Sequence, residues 1–242
     1  MTAQKDWFTS WFNTPYYHIL YKHRDDSDAK VFMQNITKFL AIKREAHLLD
    51  LACGKGRHSV FLNSLGYQVT GVDLSENSIS FAQKFANKTL QFNVHDMRDS
   101  FANTYDAIFN LFTSFGYFEE DAEDIKVLKN IKNGLQKNGI AVIDFLNVAT
   151  LKNDFTENEL QTIDGIEFRI YKKIENGFII KEISFEADGE SHMYVEKVKH
   201  IGVEKFETYF KEAGLKIQHT FGDYQLSPFN EQTSNRLIYV VS

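Results

Sequence analysis

Asp50, Gly54, Gly56 and Asp73 are the residues whose types and spacing carry chemistry most plainly in this 242-residue chain. The run Leu48-Leu49-Asp50-Leu51-Ala52-Cys53-Gly54-Lys55-Gly56-Arg57-His58 reads as a buried strand, a glycine turn and the opening of a helix that ends at Gly66. Glycine belongs where φ is positive or where backbone must touch a ligand, and Gly54 and Gly56 fit that need. A second strand ends in Asp73, about twenty residues past the turn, the interval at which a carboxylate accepts both hydroxyls of a ribose. Together these residues predict a nucleoside pocket at the carboxyl ends of two neighbouring strands.

Charge selects among nucleosides. A pyrophosphate wants a helix N-terminus and usually a third glycine, but the third position here is Ser59. Asp50, at the head of the loop, repels a phosphate and attracts an ammonium or a sulfonium, as carried by S-adenosylmethionine. A nicotinamide dinucleotide, with oxidoreductase chemistry, stays open as an alternative.

The surrounding elements predict an α/β fold. Short apolar strands near Leu48–Ala52, Gln68–Val72, Thr89–Val94, Tyr105–Phe109 and Ile140–Phe145 alternate with helices after the first, second and fourth, the pattern of a parallel sheet covered on both faces. A helix near Val203–Ala213, stopped by Gly214, and strands Leu215–Phe221 and Arg236–Val241 complete the sheet. Residues 1–46 are read as an N-terminal helical lid. There Trp7-Phe8 and Trp11-Phe12 fall on one helical stripe, and Asp25-Asp26-Ser27-Asp28 offer caps for a helix whose apolar positions are Val31, Phe32, Ile36, Phe39 and Leu40. Residues 47–242 form the main domain. Within it, at about 163–200, Asn176-Gly177 and Asp188-Gly189 predict a three-stranded antiparallel meander as an inserted lid.

Bulk properties narrow the partners. A net charge of -6 opposes a nucleic-acid backbone. The single cysteine, Cys53, makes no internal disulfide, and no Cys/His cluster has zinc spacing, so neither a metal nor a disulfide framework is expected. No apolar run approaches the roughly 20 residues that span a bilayer, and the start lacks a signal-like segment. A soluble, cytoplasmic monomer or homodimer is expected, with either the meander or the tryptophan stripe as a possible dimer face.

The glycine-loop run, followed by Gly66-Tyr67-Gln68-Val69-Thr70-Gly71-Val72-Asp73-Leu74-Ser75, resembles motifs I and II of class I S-adenosylmethionine-dependent methyltransferases. The order of elements from about His47 onward is similar to that family throughout. The resemblance implies a seven-stranded, mostly parallel Rossmann-like sheet. It also implies S-adenosylmethionine as cofactor and S-adenosylhomocysteine as product. By that likeness, backbone from Ala52 through Cys53 and Gly54 to Gly56 holds the methionine part, Asp73 the ribose and Leu74 one face of the adenine. Asp96 would accept from the adenine amine beside Met97, and the backbone of Asn110 and Leu111 would line the cofactor. Lys55 stands where many members carry Thr or Ser, tolerable because the loop works through its backbone.

Absences then narrow the acceptor. The segment after the fourth strand, Asn110-Leu111-Phe112-Thr113, lacks the prolines of base-amine methyltransferases, and Cys53 lies within the glycine loop, where it does not serve as a cytosine C5 nucleophile. Asp144 and Asn147 are the only nearby carboxylate-type candidates for a metal. A small molecule methylated on N or O is left, with a protein acceptor or a cofactor-binding protein lacking transferase activity as alternatives. The insertion resembles the lids of small-molecule N-methyltransferases. Phe112, Phe115, Tyr117 and Phe118, with Tyr16, Tyr17 and Tyr21, form a candidate aromatic roof suited to a cationic or apolar acceptor. Tyr17, His18, Phe115 and Tyr117 are the candidate acceptor-site residues. His23, His58 and His95 are candidate bases, and Arg24 a candidate fork for the cofactor carboxylate.

Overall fold

The computed structural model describes residues 7–22, 26–151 and 155–242. Three helices come first, α1 (Trp7–Trp11), α2 (Pro15–Leu20) and α3 (Asp26–Phe39). Strands β1 (His47–Leu51), β2 (Gln68–Asp73), β3 (Leu90–Val94), β4 (Tyr105–Asn110) and β5 (Leu135–Leu146) then alternate with α4 (Arg57–Ser64), α5 (Glu76–Ala82) and α6 (Asp121–Gly134). Four further strands follow, β6 (Thr156–Ile163), β7 (Ile166–Glu175), β8 (Phe178–Ala187) and β9 (Glu190–Lys199). The chain ends with α7 (Val203–Ala213), β10 (Ile217–Phe221) and β11 (Arg236–Val241).

The main sheet has the order β10-β11-β5-β4-β1-β2-β3, and every strand is parallel to its neighbours except β11, which runs against β5 and β10. Strand order reverses between β1 and β4, and in open α/β sheets a crevice forms at that point over the carboxyl ends. Both faces are covered. One core joins α6, α7, α1 and the insertion to the sheet, and the other lies beneath α3, α4 and α5. Helix α3 therefore packs into the α/β body, through Ala29, Phe32, Met33 and Ile36. Val31 and Phe39, expected in that stripe, sit beside it and are 38% and 48% exposed. The caps expected from residues 25–28 fall on Asp25, outside the described residues, or on side chains that are likewise not described.

The inserted sheet has four strands where three were expected. Its turns, Asp164-Gly165, Asn176-Gly177 and Asp188-Gly189, each place both residues at positive φ, the conformation that twists with a hairpin. The unforeseen strand, β6, pairs along its full length with β7. It lies at the sheet edge with mostly exposed side chains, Leu160 among them at 62%, so no buried face gives it a period-two pattern.

The aromatic stripe of α1 is consumed within the chain. Trp11 stacks on Tyr194 of β9 at 4.4 Å, Trp7 meets Tyr117 edge-on at 5.4 Å, and Phe8 meets Phe118 at 5.8 Å. That burial removes it as a dimer face. Among the described residues no helix is long and apolar enough to cross a membrane.

Lys199, at the end of β9, ties the insertion to the body. Its ammonium is buried against Asp124 at 2.6 Å and Asp121 at 2.9 Å of α6, and its N–H donates to Gly116 O at 2.7 Å. Removing one member of a buried pair leaves an uncompensated charge. Lys199→Ala should therefore cost about 3–5 kcal/mol in urea unfolding, and Lys199→Met with Asp124→Leu should recover most of it.

Candidate active site

The chain turns out of β1 through three left-handed residues, Ala52 (φ 66°), Gly54 (φ 54°) and Gly56 (φ 80°). The two glycines serve different ends. A Cβ on Gly54 would meet nothing within 4 Å, so its backbone faces open space. A Cβ on Gly56 would lie 2.6 Å from the Phe92 ring, so glycine is required there for packing behind the loop. Asp73, at the end of β2, fastens the loop: one carboxylate oxygen accepts from Gly54 N–H and the other from Ser75 N–H, each at 2.8 Å.

Asp50 is 2% exposed and accepts from the Ser59 hydroxyl at 2.6 Å. Ser59 is thus the partner of the acid as well as the replacement for a third glycine, and Gly71 on β2 leaves room for its hydroxyl, 2.7 Å from where a Cβ would stand. Burial pushes Asp50 up to about 6 against the pull of Ser59, and Asp73's charge adds to the rise. Burial also raises Asp73, opposed by the N–H groups of Ser75, Gly54 and Leu74. Two neighbouring acids that resist ionisation are a setting that an ammonium or sulfonium relieves and a phosphate worsens. Burial pushes the Cys53 thiol well up, so it is no nucleophile.

Two adjoining cavities open here. A small one of about 50 Å³ lies between Leu74 and Met97, with Asp73, Asp96, His95 and Phe8 also on its wall. Asp96 is not idle there. Burial would raise it, but Arg98 binds both of its oxygens, at 2.6 Å from Nη2, and holds it below the usual carboxylate range. The larger cavity, about 810 Å³, takes in Asp50, Ala52, Cys53, Gly54 and Leu111 and extends beneath Tyr17, His18 and Tyr117. Burial, helped by Lys55, lowers His18 to about 4, leaving a neutral imidazole at pH 7.

Some expected residues lie elsewhere. Phe115 is 1% exposed and stacks on Phe206 of α7 at 5.8 Å, so it is core and not roof. The Asn110 amide is fully buried, donating to Leu51 O at 3.2 Å behind Leu111. Tyr16 donates to Asp188 at 2.7 Å and packs on Phe185 of the insertion. His58 lines the large cavity, stacked on Phe112. His23 and Arg24 are outside the described residues.

Two groups were not foreseen. Glu196 of β9 lines the large cavity and accepts from Trp11 Nε1 at 2.8 Å and the Tyr21 hydroxyl at 2.7 Å. On the opposite wall, β11 opposes Ile238 to Asp144, which sets Arg236 diagonally on the same sheet face. Arg236 Nε then reaches Asp144 at 2.8 Å, and Nη2 reaches Thr113 Oγ1 at 3.0 Å. Asp144 also accepts from Phe112 N–H at 2.8 Å, holding Phe112 (φ 57°) and Thr113 (φ 63°) in left-handed backbone. Asp144, weighed as a metal ligand, is spent on these bonds, and the Asn147 amide on Glu231 O and Ser234 O. Among the described residues no three His, Cys, Asp or Glu converge on a metal position.

The glycine loop and the acid pair at the carboxyl ends of β1 and β2 lie beside the switch point of this sheet order, where the resemblance to class I S-adenosylmethionine-dependent methyltransferases expects the cofactor. The family model described as a methyltransferase domain matches residues 42–214, and the chain belongs to that family. The putative methyltransferase YqeM of Bacillus subtilis is 26% identical over 195 residues, 76% of this chain and 79% of that protein. An S-adenosylmethionine-dependent methyltransferase from Clostridium acetobutylicum superposes with a TM-score of 0.79 at 20% identity, covering 94% of this chain and 95% of the other. CalS10, an amino pentose methyltransferase from Micromonospora echinaspora solved with S-adenosylmethionine bound, gives 0.69 at 19% identity, with 94% and 96% covered.

Gly54→Ala should cost only the left-handed penalty of about 1–2 kcal/mol while weakening S-adenosylhomocysteine binding about tenfold or more. Gly56→Ala should instead cost about 3 kcal/mol or more of stability in thermal unfolding. An ammonium held against ionised Asp50 would compete with protons for it. S-adenosylhomocysteine affinity measured by calorimetry should be flat above pH 7 and fall, by up to about tenfold per unit, below about 6. Asp50→Asn should remove that dependence.

Proposed function

We propose that this methyltransferase transfers the methyl group to a nitrogen or oxygen of a small-molecule acceptor held in the large cavity. The observation that carries this reading is the roof. Helices α1 and α2 and strand β9 meet over the cavity through Trp11, Tyr21 and Glu196. A space of about 810 Å³ beneath them suits a small molecule beside the cofactor better than a protein surface. Residues 1–46 contribute their first two helices to this lid, and the insertion contributes β9.

The residues suit the cofactor. Gly54 offers an uncluttered backbone, Asp73 keeps accepting capacity for a ribose hydroxyl, and Leu74 and Met97 form apolar walls for an adenine. Asp50 balances the ammonium, and Asp96, held by Arg98, accepts from the adenine amine. When bound, S-adenosylmethionine supplies an activated methyl on a sulfonium. The chain's own task is alignment and exclusion of water. Tyr17 and Tyr117 confine the acceptor, and neutral His18 accepts a hydrogen bond from its nucleophile and so orients it, while any proton lost after transfer leaves to solvent.

Calorimetric titration with S-adenosylhomocysteine should show binding that Asp73→Ala weakens by about tenfold to hundredfold. Transfer of labelled methyl to members of an amine, phenol and carboxylate panel, reduced by His18→Ala and Tyr117→Ala, supports the acceptor assignment. Cofactor binding without transfer to any of them would defeat it.

A further inference from the structure

Aromatic faces alone point to a cationic or apolar acceptor, but the charged lining of the large cavity points the other way. Four cationic side chains, Lys22, Lys55, Arg57 and Arg236, line it against two carboxylates, Asp50 and Glu196. Asp50 sits at the glycine loop and belongs to the cofactor end. Glu196 is occupied by Trp11, Tyr21 and Lys181. Lys22 is ion-paired with Asp164 at the rim, and Lys55 and Arg57 flank the glycine loop. Arg236 remains as the cation of the acceptor wall, over β5 and β11.

Its guanidinium is held on three sides. Nε and Nη2 are spent on Asp144 and Thr113, and Tyr224 lies alongside with its ring centroid 5.7 Å away. Nη1 has no acceptor among the described residues, and the side chain is 19% exposed. Asp144 is fully buried and absent from the cavity wall, so the cavity meets the positive end of the pair. The turn that presents Thr113 to the fork runs through two consecutive left-handed non-glycine residues, a costly arrangement that persists only where surrounding contacts impose it. A fixed, partly buried guanidinium on a cavity wall, its Nε and Nη2 engaged by Asp144 and its Nη1 donors left over, suits an oxyanion, because its orienting cost is already met within the fold.

We propose that Arg236 anchors an anionic group, a carboxylate or a phosphate, on the methyl acceptor, so that the substrate class is a small acid. This rests on the methyl-transfer reading of the same cavity. The acid end lies against the β5–β11 wall while the nucleophile points toward the glycine loop. A positive wall also favours the unprotonated form of an acceptor amine, the form with a lone pair to give.

The test uses the full chain saturated with S-adenosylhomocysteine and titrated with matched pairs. These are glycine against glycinamide, 4-hydroxybenzoate against 4-hydroxybenzamide, and O-phosphoethanolamine against ethanolamine. At least one acid should bind about tenfold or more tightly than its partner, and the pair that does so tells carboxylate from phosphate. Arg236→Gln should abolish the preference and leave S-adenosylhomocysteine affinity within about twofold. Because that variant strands Asp144, the double variant Arg236→Gln with Asp144→Asn is measured beside it. Stability should return in the double variant while the preference stays lost; a merely structural arginine would give both back. No preference in any pair, survival of the preference in Arg236→Gln, or its return in the double variant would overturn the proposal. Failure of S-adenosylhomocysteine itself to bind would instead overturn the reading on which it rests.

Discussion

The bond pair at Asp73 is the constraint on which the site depends. One half-buried carboxylate accepts the N–H of Gly54 from the loop after β1 and the N–H of Ser75 from the loop after β2. It thereby fixes the distance between the two loops that must flank a nucleoside. The same oxygens that brace the loops are those a ribose would use, so architecture and recognition share one group. Burial opposes the charge, and three backbone donors offset only part of that cost. The charge of Asp73 is felt in turn at buried Asp50, whose ionisation it opposes. Arg57 offsets part of that cost at Asp50, and an ammonium or sulfonium in the cleft would offset more.

The opposite side of the cleft repeats the device with different residues. Asp144, at the carboxyl end of β5, takes the N–H of Phe112 and the fork of Arg236, as Asp73 takes Gly54 and Ser75. In both places an acid emerging from an apolar strand holds a left-handed turn open toward the cavity. The glycine loop meets the conformational demand with Gly54, but the loop after β4 meets it with Phe112 and Thr113, whose side chains line the cavity. Glycine would relax the turn and forfeit the hydroxyl that steadies Arg236.

What could be read from the sequence follows the range of the interactions. The β1 loop, Asp73 and the alternation of strands with helices are written in contiguous residues and a repeating period, and the structure has those elements where the periodicity puts them. Strand β6 was missed because neither of its faces is buried along most of its length, although Asp164-Gly165 carried the same turn signal as the two hairpins that were seen. Phe115 was misassigned because an aromatic next to cavity residues in sequence gives no sign of which face it turns to; α7, arriving late in the chain, covers it with Phe206.

Arg236 shows the limit most clearly. It stands 92 positions from Asp144, and nothing local pairs them. The pairing exists because β11 runs antiparallel to β5 in one register, and a slip of one residue would turn the guanidinium to the other face of the sheet. The sequence did hold half of the signal: Asp144 is a single acid inside the apolar run Ile140 to Phe145, and a buried acid needs a partner. No nearby residue stands out as that partner, and short range was all that could be searched. The fold supplies an arginine from the last strand instead, and in doing so turns a structural requirement of β5 into a cationic wall for the cavity.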